Sequence, residues 1–123
     1  MAFIENHDTD RFLGETQDTL ALKQALALLL TVNRIPQLYY GTEVLMNGTK
    51  QVTDGNVRKD FPGGFPGDTR SCFTTEGRTK AENDMFRWTA RLLHWRQGNE
   101  VITKGKQTQF IPQNGVYVVA RSY

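Results

Sequence analysis

Three short clusters hold most of the groups able to do chemistry. His7-Asp8 sets an imidazole beside a carboxylate with Arg11 close behind, Thr42-Glu43 supplies a second carboxylate, and Arg58-Lys59 a pair of cations. A fixed carboxylate stabilises positive charge that develops next to it, and an imidazole can orient a polar ligand or move a proton. Each cluster alone has an ordinary explanation. His7-Asp8 reads as a polar turn, Glu43 as a loop carboxylate or an ion-pair partner for Arg11 or Arg58, and Arg58 and Lys59 as solvated charges. Their meaning depends on whether the chain brings them to one edge.

The elements around them predict that it does for the first two. Phe3 to Asn6 is a short strand running into the His7–Arg11 cluster. Gln17 to Thr31 reads as a helix, with Ala21, Ala25, Leu28, Leu29 and Val32 on one stripe and Leu22, Leu26 and Leu30 thickening it. Asn33-Arg34-Ile35-Pro36 ends that helix, because a residue before proline disfavours α geometry. Gln37-Leu38-Tyr39-Tyr40 then reads as a second strand, closed by Gly41. Strand, helix, strand over this length is a βαβ unit with parallel strands. Both strands finish on the same edge, which puts His7-Asp8 beside Thr42-Glu43 where parallel α/β folds bind ligands.

Downstream, Met46 to Arg78 is long and irregular and holds six of the 11 glycines. Phe61, Phe65 and Phe73 among those glycines argue for a packed loop that walls a cleft. Thr79-Lys80-Ala81-Glu82 has the capping-box pattern and opens a second helix that Gly98 stops. Ala81, Met85, Trp88, Leu92 and Trp95 form its apolar face, with the two tryptophans expected in the core. Arg87, Arg91 and Arg96 form its exposed basic face. Gln107–Ile111 and Val116–Arg121 flank Asn114-Gly115 and read as a β-hairpin.

Composition narrows the classes. At 123 residues the chain suits one compact unit and cannot close a (β/α)8 barrel, which takes about 250 residues. A net charge of +2 creates no field that would draw nucleic acid or an anionic membrane. The stretch Leu20–Val32 falls short of the roughly 20 apolar residues that span a bilayer. Cys72 is the single cysteine, so no internal disulfide forms, and the thiol is expected to be inert. His94 has no metal-ligand spacing. No basic n-region or cleavable apolar segment marks a signal peptide, and the compartment stays open. Both ends look cut, as in an excised piece.

Two motifs carry a resemblance. Phe3-Ile4-Glu5-Asn6-His7-Asp8 with Arg11 resembles the F-x-x-N-H-D motif of the α-amylase family of glycoside hydrolases, and Pro36–Glu43 resembles that family's last barrel strand, P-x-x-Y-Y-G-x-E. Asp54–Gly64 looks like the following loop in neopullulanase and cyclomaltodextrinase members. The resemblance implies an α/β chain: the last two βα units of a partial (β/α)8 barrel at 1–100, then the first strands of a C-terminal β-sandwich domain at 101–123.

It further implies a retaining glycoside hydrolase acting on α-glucans or cyclodextrins, with no cofactor and no metal site in this segment. Asp8 maps onto the catalytic aspartate that stabilises the transition state, His7 onto a substrate-binding histidine, and Arg11 onto a structural ion-pair partner. Arg58 is a further candidate for substrate binding. Nothing resembles the family's nucleophile and general acid, so the chain alone is expected to be inactive. Asp8 and Glu43 do not replace them, because an open edge leaves water between the two carboxyls. A noncatalytic carbohydrate-binding module using the same edge is the alternative. Cut sheet edges predict a homodimer or a segment-swapped oligomer, with Gln107–Arg121 as the exchanged element.

Overall fold

The first long helix begins where a carboxylate fixes its open amides. Asp18 accepts from the backbone N–H groups of Leu20 and Ala21 at 2.9 and 3.0 Å, and α1 runs Thr19–Thr31. The computed structural model describes residues 1–14 and 16–123. Leu22, Leu26, Leu29 and Leu30 are the buried side chains of α1, while Leu28 is 46% exposed. The buried arc is thus rotated from the expected stripe. A helix apolar on most of its circumference does not reveal which arc faces the core, and here the larger leucines take it.

The core joins Leu13, Leu22, Leu26, Leu29 and Met85, with Ala2, Ile4, Phe12, Leu38, Leu45 and Trp88 packed around them. Each fully buried leucine contributes about 1.5–3 kcal/mol relative to leaving it in water.

The chain segments before and after α1 do run parallel, but they pair only briefly. Ala2 bridges Pro36, with Ala2 N–H donating to Ile35 O at 2.9 Å and Gln37 N–H to Ala2 O at 2.8 Å. The expected strands Phe3–Asn6 and Gln37–Tyr40 do not continue as a ladder. Beyond Ile4 the chain turns Glu5 into the interior, and among the described residues no third strand supports the pair. A pair of strands without neighbours is marginal in water.

Between Met46 and Arg78 the chain is irregular except for one turn of helix, α2 at Asp54–Val57, capped by Thr53. Close contacts explain two of the glycines in this region. A Cβ on Gly63 (φ 96°) would lie 2.4 Å from Ser71 Oγ, and one on Gly77 only 1.9 Å from Ser71 O. Phe61 and Phe73 meet with ring centroids 4.6 Å apart, whereas Phe65 is 57% exposed.

Helix α3 spans Lys80–Gln97 and starts with the capping box the sequence predicts. Glu82 N–H donates to Thr79 Oγ1 at 3.2 Å, and Thr79 N–H returns a bond to Glu82 Oε2 at 2.7 Å. Arg70 reaches from the loop to grip the same carboxylate at 2.7 and 2.9 Å. That guanidinium is the main reason the Glu82 carboxyl lies below the ordinary range, with burial opposing it.

The consequence for stability has a definite sign. A lowered folded-state value makes Glu82 stabilising above the unfolded carboxylate pKa of about 4.3, and the contribution fades as pH falls through the folded value. Glu82→Gln is expected to cost about 1–2 kcal/mol at neutral pH, held to that by the solvent around Arg70. Urea melts of the two proteins should converge on acidification. A constant gap down to strong acid would contradict this.

Glu82, Met85 and Thr89 form the buried arc of α3, and Arg96 is half-buried beside them. Trp88 reaches the core from the margin of that arc, but Trp95 is 46% exposed, contrary to the core placement expected for both. Nor is Arg96 part of a basic outer face. It donates to Leu30 O at 2.5 Å and Arg34 O at 3.3 Å, covering carbonyls at and beyond the end of α1. Burial, with the nearby Arg121 charge, lowers its pKa.

After a short helix α4, Glu100–Lys104, strands β1 (Lys106–Gln109) and β2 (Val119–Ser122) pair antiparallel from Lys106–Ser122 to Gln109–Val119. Asn114 and Gly115 both take positive φ, 51° and 75°, as a type I′ hairpin turn needs. Phe110 N–H still bonds Val118 O, but Gln113 opposes Val116, so Ile111-Pro112 face Tyr117 alone. This bulge interrupts the expected strands at a proline, which has no N–H for the ladder. Arg121 ties the hairpin to the helices through Thr31 O, Ile102 O and Gly105 O at 3.2, 2.8 and 2.6 Å.

Cys72 is buried, and its Sγ lies 4.0 Å from Glu82 Oε2. Burial, and then the Glu82 charge, raise the thiol pKa. Folded protein should therefore resist a maleimide that labels it readily in denaturant. Fast labelling of the native chain would show that the loop over Cys72 opens.

Candidate functional site

The site stands on a buried ion pair. Arg11 and Glu5 are 0% and 2% exposed at the side chain, with Arg11 Nη1 3.3 Å from Glu5 Oε1. Arg11 Nη1 also donates to Tyr40 O at 2.7 Å, and its Nε to Val57 O at 3.0 Å. Its guanidinium sits 4.0 Å above the Tyr39 ring and 4.9 Å above that of Tyr40. Glu5 in turn accepts from Phe12 N–H and from the Thr42 hydroxyl. One cation therefore joins the first segment, the end of the second and the end of α2.

The partner of Arg11 is Glu5, and Glu43 sits instead in a one-turn 3-10 helix, Thr42–Val44. Positive φ values at Gly41 (85°) and Leu45 (61°) bracket that turn. Sequence reasoning missed Glu5 because it occupies an unspecified position of the motif. A carboxylate inside a predicted strand was the available signal.

Asp8 projects above this foundation and remains open, its side chain 63% exposed. Its backbone N–H donates to Asn6 Oδ1 at 2.7 Å, and Asn6 N–H donates to Thr9 Oγ1 at 3.0 Å, which fixes the turn. His7 Nε2 lies 3.1 Å from Asp8 Oδ2. On the other carboxylate oxygen, Arg58 Nη2 approaches Asp8 Oδ1 at 3.3 Å while its Nε donates to His7 O at 3.0 Å.

The three residues the sequence singles out as His7, Asp8 and Arg58 thus meet at one solvent-facing point. Lys59 is not in that group: its Nζ donates to Asn47 O at 3.2 Å. Among the described residues no group of three His, Cys, Asp and Glu side chains could hold a metal ion. No described helix is long and apolar enough to cross a membrane.

This is an α/β crossover with an exposed, cation-flanked carboxylate just past its first segment. Comparison with known proteins gives that arrangement a relationship. No family model matches the sequence. Across all 123 residues the chain is 33% identical to the cyclomaltodextrin glucanotransferase of Bacillus licheniformis and 34% identical to an α-amylase of Niallia circulans. It spans 15% and 20% of those two proteins.

Among solved structures, the α-amylase from H. orenii superposes with a TM-score of 0.77 at 25% identity, covering 98% of this chain and 27% of that one. An α-amylase from Geobacillus thermoleovorans complexed with acarbose superposes at 0.70 with 27% identity, over 98% of this chain and 24% of that one. The chain is a relative of the α-amylase family over its whole length.

Proposed function

We propose that the chain is the part of an α-glucan-cleaving glycoside hydrolase that carries its transition-state-stabilising carboxylate, Asp8. One observation above the others supports this: Asp8 is exposed just past the first segment while the chain around it is locked beneath by the buried Arg11–Glu5 pair. Cleavage of a glycosidic bond passes through an oxocarbenium-like state with positive charge on the sugar ring. A carboxylate held beside that ring binds the charged state better than the neutral ground state, which is what lowers a barrier.

His7 and Arg58 flank Asp8 and are placed to donate to sugar hydroxyls. Arg58 Nη1 makes no hydrogen bond among the described residues and is free for that purpose. The nucleophile and general acid lie outside this chain, in keeping with its spanning 15–20% of the curated relatives. On the barrel reading, the Ala2–Pro36 contact is the remnant of adjacent parallel barrel strands and the hairpin opens the next domain. The Asp54–Gly64 loop favours a neopullulanase- or cyclomaltodextrinase-like member.

The test is a chimera in which residues 1–123 replace the matched segment of the Niallia circulans α-amylase. Starch or cyclodextrin turnover by the chimera, with none by the 123-residue chain, is the expected result. Turnover by the chain alone would overturn the reading. Calorimetric binding of maltooligosaccharide by the chain, with an inactive chimera, would favour a binding module instead.

A further inference from the structure

What aims the Asp8 carboxylate is a separate matter from what it does, and this inference rests on the reading of Asp8 just given. The parallel pairing ahead of it ends at Ala2 and Pro36, so no strand ladder reaches Asp8. Residues 48–50 strap its turn from one side instead. Arg11 N–H donates to Gly48 O at 3.0 Å, Lys50 N–H to Asp10 Oδ1 at 2.5 Å, and Lys50 Nζ to Asp8 O at 3.2 Å.

We infer that Asp10 is a positioning residue, whose carboxylate ties the Asp8 turn to residues 48–50 without itself touching substrate. The strap has little room to shift. Gly48 is buried, and a Cβ there would lie 2.1 Å from Asn56 O. A Cβ on Gly14 would lie 2.4 Å from Gly48 O, so backbone presses on the strap from two directions. Thr49 N–H donates to Asn56 Oδ1 at 2.7 Å, which fastens the strap to α2.

The bonds inside the turn set its shape but not its direction. Asp8 N–H to Asn6 Oδ1 spans two residues, and Asn6 N–H to Thr9 Oγ1 spans three. The Asp10–Lys50 bond spans 40, and its carboxylate acceptor makes it stronger than a neutral pair. Asp10 is half-buried two positions past Asp8, whose own side chain is 63% exposed. Without that carboxylate the turn stays pinned at Arg11, while its outer end swings on the Lys50 ammonium alone. A misplacement on the scale of an ångström costs up to about 100-fold in rate.

The experiment compares Asp10→Ala and Asp10→Asn in the chimera, with Asp8→Asn alongside. Asp10→Ala should lower kcat about 10-fold and change KM less than about threefold. Asp10→Asn should recover most of that loss, because its amide oxygen still accepts from Lys50 N–H. Equal losses in the two variants would show that the Asp10 charge acts directly, and would overturn the inference. So would a raised KM at unchanged kcat, or an Asp10→Ala enzyme as fast as the parent, while a dead Asp8→Asn leaves the underlying reading intact. An active Asp8→Asn would instead remove that reading.

A second measurement uses the 123-residue chain and needs no activity. Exchange of the Lys50 and Asp8 backbone N–H groups with water, followed by NMR, should speed up severalfold in Asp10→Ala and much less in Asp10→Asn. Unchanged exchange at both amides would count against the tie.

Discussion

Asp8→Asn in the chimeric enzyme is expected to reduce kcat on α-glucan by at least 100-fold while leaving the melting temperature of the chain essentially unchanged. The two halves of that expectation have separate origins. Loss of a preorganised charge at the reacting centre costs about 100- to 1,000-fold in the cases where one such group is removed. Stability, by contrast, barely depends on a side chain that is 63% exposed and whose partners are themselves solvated.

Asparagine keeps the shape and can still take a bond from His7 or Arg58, so the change removes charge with little else. KM should move less than kcat, because the interaction strengthens as the sugar becomes cationic. A raised KM with kcat unchanged would assign Asp8 to ground-state recognition only.

The second large effect is on folding. Glu5→Gln and Arg11→Met should each destabilise the chain by about 3–5 kcal/mol, because each leaves the other group charged or unsatisfied in the interior. Arg11→Met also strips the donors from Tyr40 O and Val57 O. Against a total stability of about 5–15 kcal/mol, either change brings the chain close to unfolding.

The double variant should be less damaged than the two singles predict together, since replacing both members of a buried pair with neutral groups removes the uncompensated charge. Urea denaturation of the four proteins measures this. Single losses below about 1 kcal/mol would mean that the pair is hydrated in solution and does not hold the site.

Some parts of the molecule were readable from residue order and others were not. Caps and turns were legible because their signals are local: Thr79 with Glu82, and Asn114-Gly115, form as their spacing predicts. The meeting of Arg58 with His7 and Asp8 was not readable: residue order offered Arg58 only as a candidate for substrate binding, and the contact between residues 8 and 58 spans 50 positions.

Long-range choices were hidden. Nothing local says that Glu5, not Glu43, completes Arg11, or that Arg96 turns inward to bind Leu30 O. The buried arc of α1 was ambiguous because apolar residues surround it, and α3 decides the matter by packing on one side. The strand segments were recognisable by composition, yet a ladder depends on neighbours that a strand's own residues do not encode.

The decisive geometry is the position of the Asp8 carboxylate relative to a bound sugar ring. A crystal structure of the chimera with acarbose would measure that directly. An Asp8 oxygen within about 3 Å of a hydroxyl of the ring at the cleavage point, with His7 and Arg58 donating to the same sugar, is the predicted result. A sugar ring bound in the cleft with Asp8 still closed on Arg58 and out of reach would contradict it.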